Sequence, residues 1–188
     1  MSLPFYWIMM AGVTAFSAYV SSNIRRRLDE GRKDDAEKFI SNAMYLGIAA
    51  FILLAFFATL AFMFIYGSYV DEKIDELSSS YLLPFFIMFF AFPSYAIVIG
   101  LLSAEGSYKR YTAVVIATVA SNIILDYVFV HGLHMGIFGN GLGTIMGIYI
   151  GALVGLAFYR RKTGALTIEL YKPNIGKIYQ MGKQFARK

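Results

Sequence analysis

Five apolar stretches, residues 3–22, 43–66, 81–103, 111–131 and 137–159, take up most of a chain of 188 residues. A helix of 20 residues is about 30 Å long, roughly the hydrocarbon thickness of a bilayer, and a soluble core helix needs no apolar run of that length. The expected class is therefore an all-α integral membrane protein, a single bundle of five transmembrane helices in contact with the lipid bilayer. None of the connections is long enough to form a domain. Residues 160–188 turn polar and read as a cytoplasmic tail or a linker.

The net charge of +5 would suggest nucleic acid for a soluble protein. Here its distribution follows topology instead, and no nucleic-acid partner is expected. Sixteen of the seventeen Lys and Arg residues fall after the first stretch, before the fourth or after the fifth. Those connections are assigned to the cytoplasm. Lys73 is the exception, in segment 67–80, where Asp71, Glu72, Asp75 and Glu76 surround it and the net charge is −3. That segment belongs outside. The amino terminus is then also outside and the carboxyl terminus cytoplasmic, in a multi-pass protein of the cell membrane. No basic residue precedes the first stretch and an arginine cluster follows it, the pattern of a segment that inserts tail-out rather than of a cleaved signal. The absence of cysteine excludes disulfides and thiol ligands.

Phe5, Tyr6 and Trp7 suit an interfacial aromatic belt. Segment 25–38, RRRLDEGRKDDAEK, reads as a solvated turn in which Asp34 or Asp35 caps the next helix. The second stretch has no charge and no proline, so packing and lipid contact account for it. The third carries Pro84 and, in its middle, Pro93, which leaves the carbonyl of Phe89 without its usual donor and predicts a kink. Such a kink is a candidate hinge at Pro93, although proline is common in membrane helices generally.

The fourth stretch, YTAVVIATVASNIILDYVFVH, holds the residues that most need a reason. Thr118, Asn122 and Asp126 are four apart and so share one helix face. An ionisable group in a span costs roughly 2.5 to 3.5 kcal/mol on insertion scales and usually faces the bundle interior, a partner or a water-filled path. Two readings stay open from the residues alone. Either Asp126 snorkels to external water while Asn122 bonds to a neighbouring helix, or the row forms a site. The fifth stretch repeats glycine at Gly139, Gly143, Gly147, Gly151 and Gly155, a row of small residues that lets another helix approach closely at an angle. Thr144, next to Gly143, is within plausible reach of the Asn122 and Asp126 face. Carboxylate, amide carbonyl and hydroxyl are hard oxygen donors of the kind small alkali or alkaline-earth cations take, so one cation site is conceivable there. His131 and His134 form a lone H-x-x-H in a glycine-rich turn, short of the four ligands a structural metal site uses. No nucleophile and base pair occurs in the spans, and an enzyme is not expected. In the tail, Ile175, Ile178, Tyr179 and Phe185 outline the apolar side of an interfacial amphipathic segment.

Several of these stretches together resemble the multidrug and toxic-compound extrusion (MATE) family of secondary transporters, over nearly the whole chain. The resemblance rests on Arg26, Gly31 and Ala36 after the first stretch and on Ala104-Glu105-Gly106 after the third. It continues through Asn122-Ile-Ile-Leu125-Asp126 in the fourth and Met135-Gly136-Ile137, Gly139 and Thr144 at the fifth. Asp29 stands where many members have glycine. The resemblance implies that this chain supplies helices two to six, most of one six-helix lobe of a fold with two pseudo-twofold-related lobes. It further implies that the first helix and the second lobe, or a partner chain, must complete it. Asp126, Asn122 and Thr144 would correspond to a coupling-ion site for Na+ or H+, with no other cofactor, joined in the family by an aspartate on the first helix. The implied function is export of a small cationic, amphipathic organic substrate by antiport with that ion. The alternatives are a lipid-linked oligosaccharide flippase of the same superfamily, which a central cavity rich in Arg and Lys would favour, and a non-transporting membrane subunit that docks a partner through its glycine row.

Overall fold

A computed structural model describes residues 3–66, 72–87, 89–160, 166 and 172–186. All regular structure among them is helical: α1 (Leu3–Asp29), α2 (Lys33–Tyr66), α3 (Glu72–Ile87), α4 (Ala91–Ala104), α5 (Tyr108–Tyr127), a π-helical turn (Val128–Gly132), α6 (Gly136–Arg160) and α7 (Ile175–Phe185). Among the described residues, three segments are long and apolar enough to cross a membrane: Lys33–Ala61, Tyr108–Gly132 and Gly136–Tyr159. The expected five continuous spans are therefore not reproduced one for one. α1 is 27 residues long but less apolar, and the third stretch is divided between α3 and α4.

The helices run further than their apolar cores. Segment 25–38 is solvated but mostly helical rather than a turn, because α1 continues through its arginines and α2 starts at Lys33, leaving only Glu30, Gly31 and Arg32 between them. Asp34 and Asp35 lie inside the first turn of α2 rather than before it, where negative charge opposes the helix dipole favourably. The reversal at Gly31 is a Schellman closure. Arg32 N–H donates to Arg27 O (2.8 Å) and Gly31 N–H to Leu28 O (3.0 Å), with Gly31 at φ +70°. Gly106 ends α4 in the same way at φ +65°, with Ser107 N–H on Leu102 O (3.0 Å) and Gly106 N–H on Ser103 O (3.2 Å). Segment 67–80 is likewise helical from Glu72, while residues 67–71 lie outside the described residues.

Pro93 sits in the first turn of α4, where its missing N–H is tolerated. The predicted kink is a break. Phe89 O accepts from Phe92 N–H at 3.3 Å instead of from position 93, and Ser94 N–H closes on Phe90 O at 3.3 Å. The shorter bond supplies the donor that proline withholds.

α1 buries Met9, Val13, Phe16, Val20 and Ile24, an i, i+4, i+7 stripe that lies along α2 and α4. Gly100 of α4 fits where a Cβ would stand 2.8 Å from Ser17 O, so the two backbones nearly touch. Phe92 stacks between Phe51 and Phe85, at centroid distances of 6.1 and 6.0 Å. α6 packs on α3, α4 and α5. The outward face of α5 presents Ile116, Val119, Ile123 and Ile124, all more than half exposed and as apolar as a lipid contact requires.

The tail helix α7 folds back on α1 and α2. Asn174 caps it by accepting from Lys177 N–H (3.0 Å), and its own N–H donates to Asn42 Oδ1 (3.0 Å). Tyr19 Oη donates to Met181 O (3.1 Å), and Phe185 meets the rings of Phe16 and Tyr19. The expected apolar side is thus divided. Met181, Phe185 and Ile178 turn toward the bundle, whereas Ile175 and Tyr179 are 81% and 73% exposed. Residues 161–165 and 167–171 of the expected tail or linker lie outside the described residues.

Candidate functional site

The two fourfold-spaced rows face each other. α5 and α6 run antiparallel, so each step of four along one meets a step of four back along the other. A Cβ at Gly143 would overlap Asp126 Oδ1, one at Gly147 would stand 2.9 Å from Asn122 Cβ, and one at Gly151 would overlap Thr118 Oγ1. The polar row therefore lies in the groove that the glycines leave open. At the ends of the row, Gly139 receives Phe129 of the π-helical turn and Gly155 receives Val98 of α4. A fourth-position glycine repeat drifts around the helix, which is how one row serves more than one neighbour.

Asn122 is the centre of the hydrogen bonding. Its Nδ2 donates to Asp126 Oδ2 (3.3 Å) and to Thr144 Oγ1 (3.2 Å), while Thr144 Oγ1 donates to Asn140 O (3.0 Å). Asn140 Nδ2 lies 3.4 Å from the same Asp126 Oδ2, completing a node of four side chains from α5 and α6. Oδ1 of Asp126 is buried and accepts no hydrogen bond among the described residues, and no cationic side chain there forms an ion pair with it. An apolar bundle holds such an oxygen at a cost unless a proton or a cation accompanies it. One turn deeper, Thr118 Oγ1 donates to Val114 O (2.9 Å) and lies beside Tyr95.

The node thus brings together Asp126, Asn122 and Thr144, as the sequence suggested, and sequence reasoning missed two further residues, Asn140 within it and Tyr81 beside it. Asn140 sits four residues before Thr144 and so on its face, a spacing that was available to be read. Tyr81, whose hydroxyl lies beside Thr144, comes from α3, and nothing in its sequence context points to the node. Pro93 lies apart from it, packed near Gly47 and Phe16. His131 and His134 do not join it. The His131 ring lies against Tyr127 (5.3 Å), His134 is held at φ 54°, and no group of three or more His, Cys, Asp or Glu side chains converges among the described residues.

The MatE family model matches residues 1–128, more than half of the chain. The chain belongs to the MatE family. Its MatE relatives include the multidrug export protein MepA of Staphylococcus aureus strain MSSA476, 28% identical over 198 residues, covering 97% of this chain and 42% of the relative. MepA of Staphylococcus haemolyticus is 29% identical over 181 residues, covering 90% and 38%. The MatE fold is shown independently by solved structures. A MATE transporter in the bent conformation superposes with a TM-score of 0.83 at 19% identity, over 97% of this chain and 42% of that one. A MOP-superfamily transporter from Pyrococcus furiosus gives 0.82 at 19%, over 98% and 42%. The chain spans about two fifths of the length of the relatives it matches.

Proposed function

We propose that this chain forms helices two to six of a MATE-type secondary active transporter that exports small cationic, amphipathic compounds by antiport with Na+ or H+. In this reading Asp126 is the carboxylate that exchanges one ion for the other, and the single observation that carries it is the buried Oδ1 without a partner. Asn122 and Asn140 hold Oδ2 by their amide N–H groups, which fixes the carboxylate and leaves Oδ1 to take the ion. A proton needs only that oxygen. Sodium needs several oxygens, and Thr144 Oγ1 with the amide carbonyls of Asn122 and Asn140, after the amides turn over, are of the right kind. The names of the Staphylococcus relatives, both multidrug export proteins, support efflux as the purpose of that exchange.

Ion coupling requires that loading favour one conformation over another by a differential free energy. The break at Phe89 and Phe90 before Pro93 lies between two helices that both pack on α6, and it is the hinge this reading assigns. The first helix and second lobe of the complete transporter would close the open side of the node. Against the flippase alternative, the five apolar stretches hold no basic residue with which to line a cavity for a lipid-linked anion. In the complete transporter, Asp126→Asn should abolish ion-driven efflux from vesicles while membrane insertion and helical content stay as they are. Efflux at the parent rate would remove the reading.

A further inference from the structure

At the end of the bundle that carries the Gly31 and Gly106 turns, away from Asp126, the α1–α2 turn and α7 enclose a cavity of about 240 Å³. Arg27, Arg32, Lys38 and Lys177 bring four cations to its wall, against the one lining carboxylate of Asp35. Arg32 is answered locally, by Glu30 and by Asp35 at 3.5 Å. Arg27 is not. Its Nη1 donates to Asn23 O (2.6 Å) and Asn23 Oδ1 (3.3 Å), and its guanidinium plane lies over the Phe39 ring at 4.3 Å. Those contacts fix the fork in place yet leave Nε and Nη2 without a protein acceptor among the described residues. Burial first, and then the neighbouring charges of Arg26 and Arg32, push the Arg27 guanidinium below the usual arginine range, with Tyr19 and Asp35 opposing. Lys177 reaches the cavity from the side of α7 that also carries Gln180, opposite its exposed apolar residues Ile175 and Tyr179.

We propose that this cavity binds a phosphate group, through the fixed fork of Arg27 and the ammonium groups of Lys38 and Lys177. A planar guanidinium already oriented by stacking and one backbone bond loses little freedom on meeting a tetrahedral oxyanion, and bidentate contact is the geometry it offers. The phosphate arrives either as a water-borne anion or as a lipid headgroup. Bound there, it ties α7 to the α1–α2 turn across the cavity and neutralises the cluster. The proposal is independent of any ion at Asp126.

Calorimetric titration of the purified chain in neutral detergent with inorganic phosphate tests it, beside lipid retention in nanodiscs of phosphatidylglycerol against phosphatidylcholine. Saturable phosphate binding is expected, weakened about tenfold by Arg27→Gln and about threefold by Lys177→Gln. Arg25→Gln, an exposed arginine outside the cavity wall, should leave it unchanged. The same pattern for phosphatidylglycerol alone would support the site with a headgroup as its occupant. If Arg27→Gln fails to fold, Lys177→Gln and Lys38→Gln, both on exposed side chains, carry the test. Neither phosphate nor phosphatidylglycerol binding, full binding in Lys177→Gln, or equal loss in Arg25→Gln would overturn it.

Discussion

Asp126 Oδ1 occupies the space that a side chain at Gly143 would fill. The carboxylate fits between α5 and α6 because the opposing position is glycine. In lipid, where apolar burial gains little over contact with acyl chains, close backbone approach and interhelical hydrogen bonds of about 0.6 kcal/mol each hold helices together. The Asn122 bond to Thr144 is of that kind, so the same contacts both assemble the pair and position the carboxylate.

Gly143→Ala should therefore force the carboxylate out of place or part the helices, at a cost of about 1–3 kcal/mol typical of overpacking. Thermal unfolding followed by circular dichroism would report the loss. Gly182→Ala, whose new methyl would meet only Leu46 Cδ1 at 3.5 Å, should change nothing measurable.

Within the node, Asn122→Ala removes two donated bonds and Asn140→Ala only the longer one to Asp126. The first should cost about 1–2 kcal/mol and the second less than about 1 kcal/mol. Equal losses in a denaturation series would show that Asn122 is not the centre of the node.

Residues four apart carried most of what the sequence could show about this site. Thr118, Asn122 and Asp126 announce one face, Gly139 to Gly155 announce another, and the structure lays them together. Asn140 obeys the same spacing relative to Thr144 but stands beside HGLHMGIF, where glycine and histidine make the segment look like loop. Tyr81 reaches the node only through the packing of α3 on α6, a contact between distant segments that no local pattern encodes. The missing donor at Pro93 is legible in the sequence as a kink, whereas the 3.3 Å bond from Phe92 that replaces it depends on the tertiary fit of α4. The lengths of α1 and α2 are not legible in their apolar runs, because charged residues extend a helix past the bilayer without lengthening that run.

The two Schellman closures make a separate prediction about the backbone. Gly31→Ala and Gly106→Ala place a Cβ at positive φ with no neighbour within 4 Å, so strain is their only penalty, about 1–2 kcal/mol. Gly132→Ala has equally open surroundings and no positive φ, and should be close to neutral by the same thermal measurement.

Pro93→Ala restores an N–H that can bond Phe89 O and continue α3 into α4. Hydrogen exchange should then find the new amide at position 93 protected and transport by the complete protein slowed. An amide exchanging at the free rate would show that packing around Gly47 and Phe16, rather than the missing donor, sets the break.

Uptake and release of a cation by Asp126 inside the bundle is tested most directly by infrared difference spectroscopy of the carboxyl C=O stretch, recorded on the purified chain against pH with and without Na+. A protonated-carboxyl band is expected that titrates with pH or is displaced by Na+ and is absent from Asp126→Asn. A band that neither titrates nor responds to Na+, or one that persists unchanged in Asp126→Asn, would contradict it.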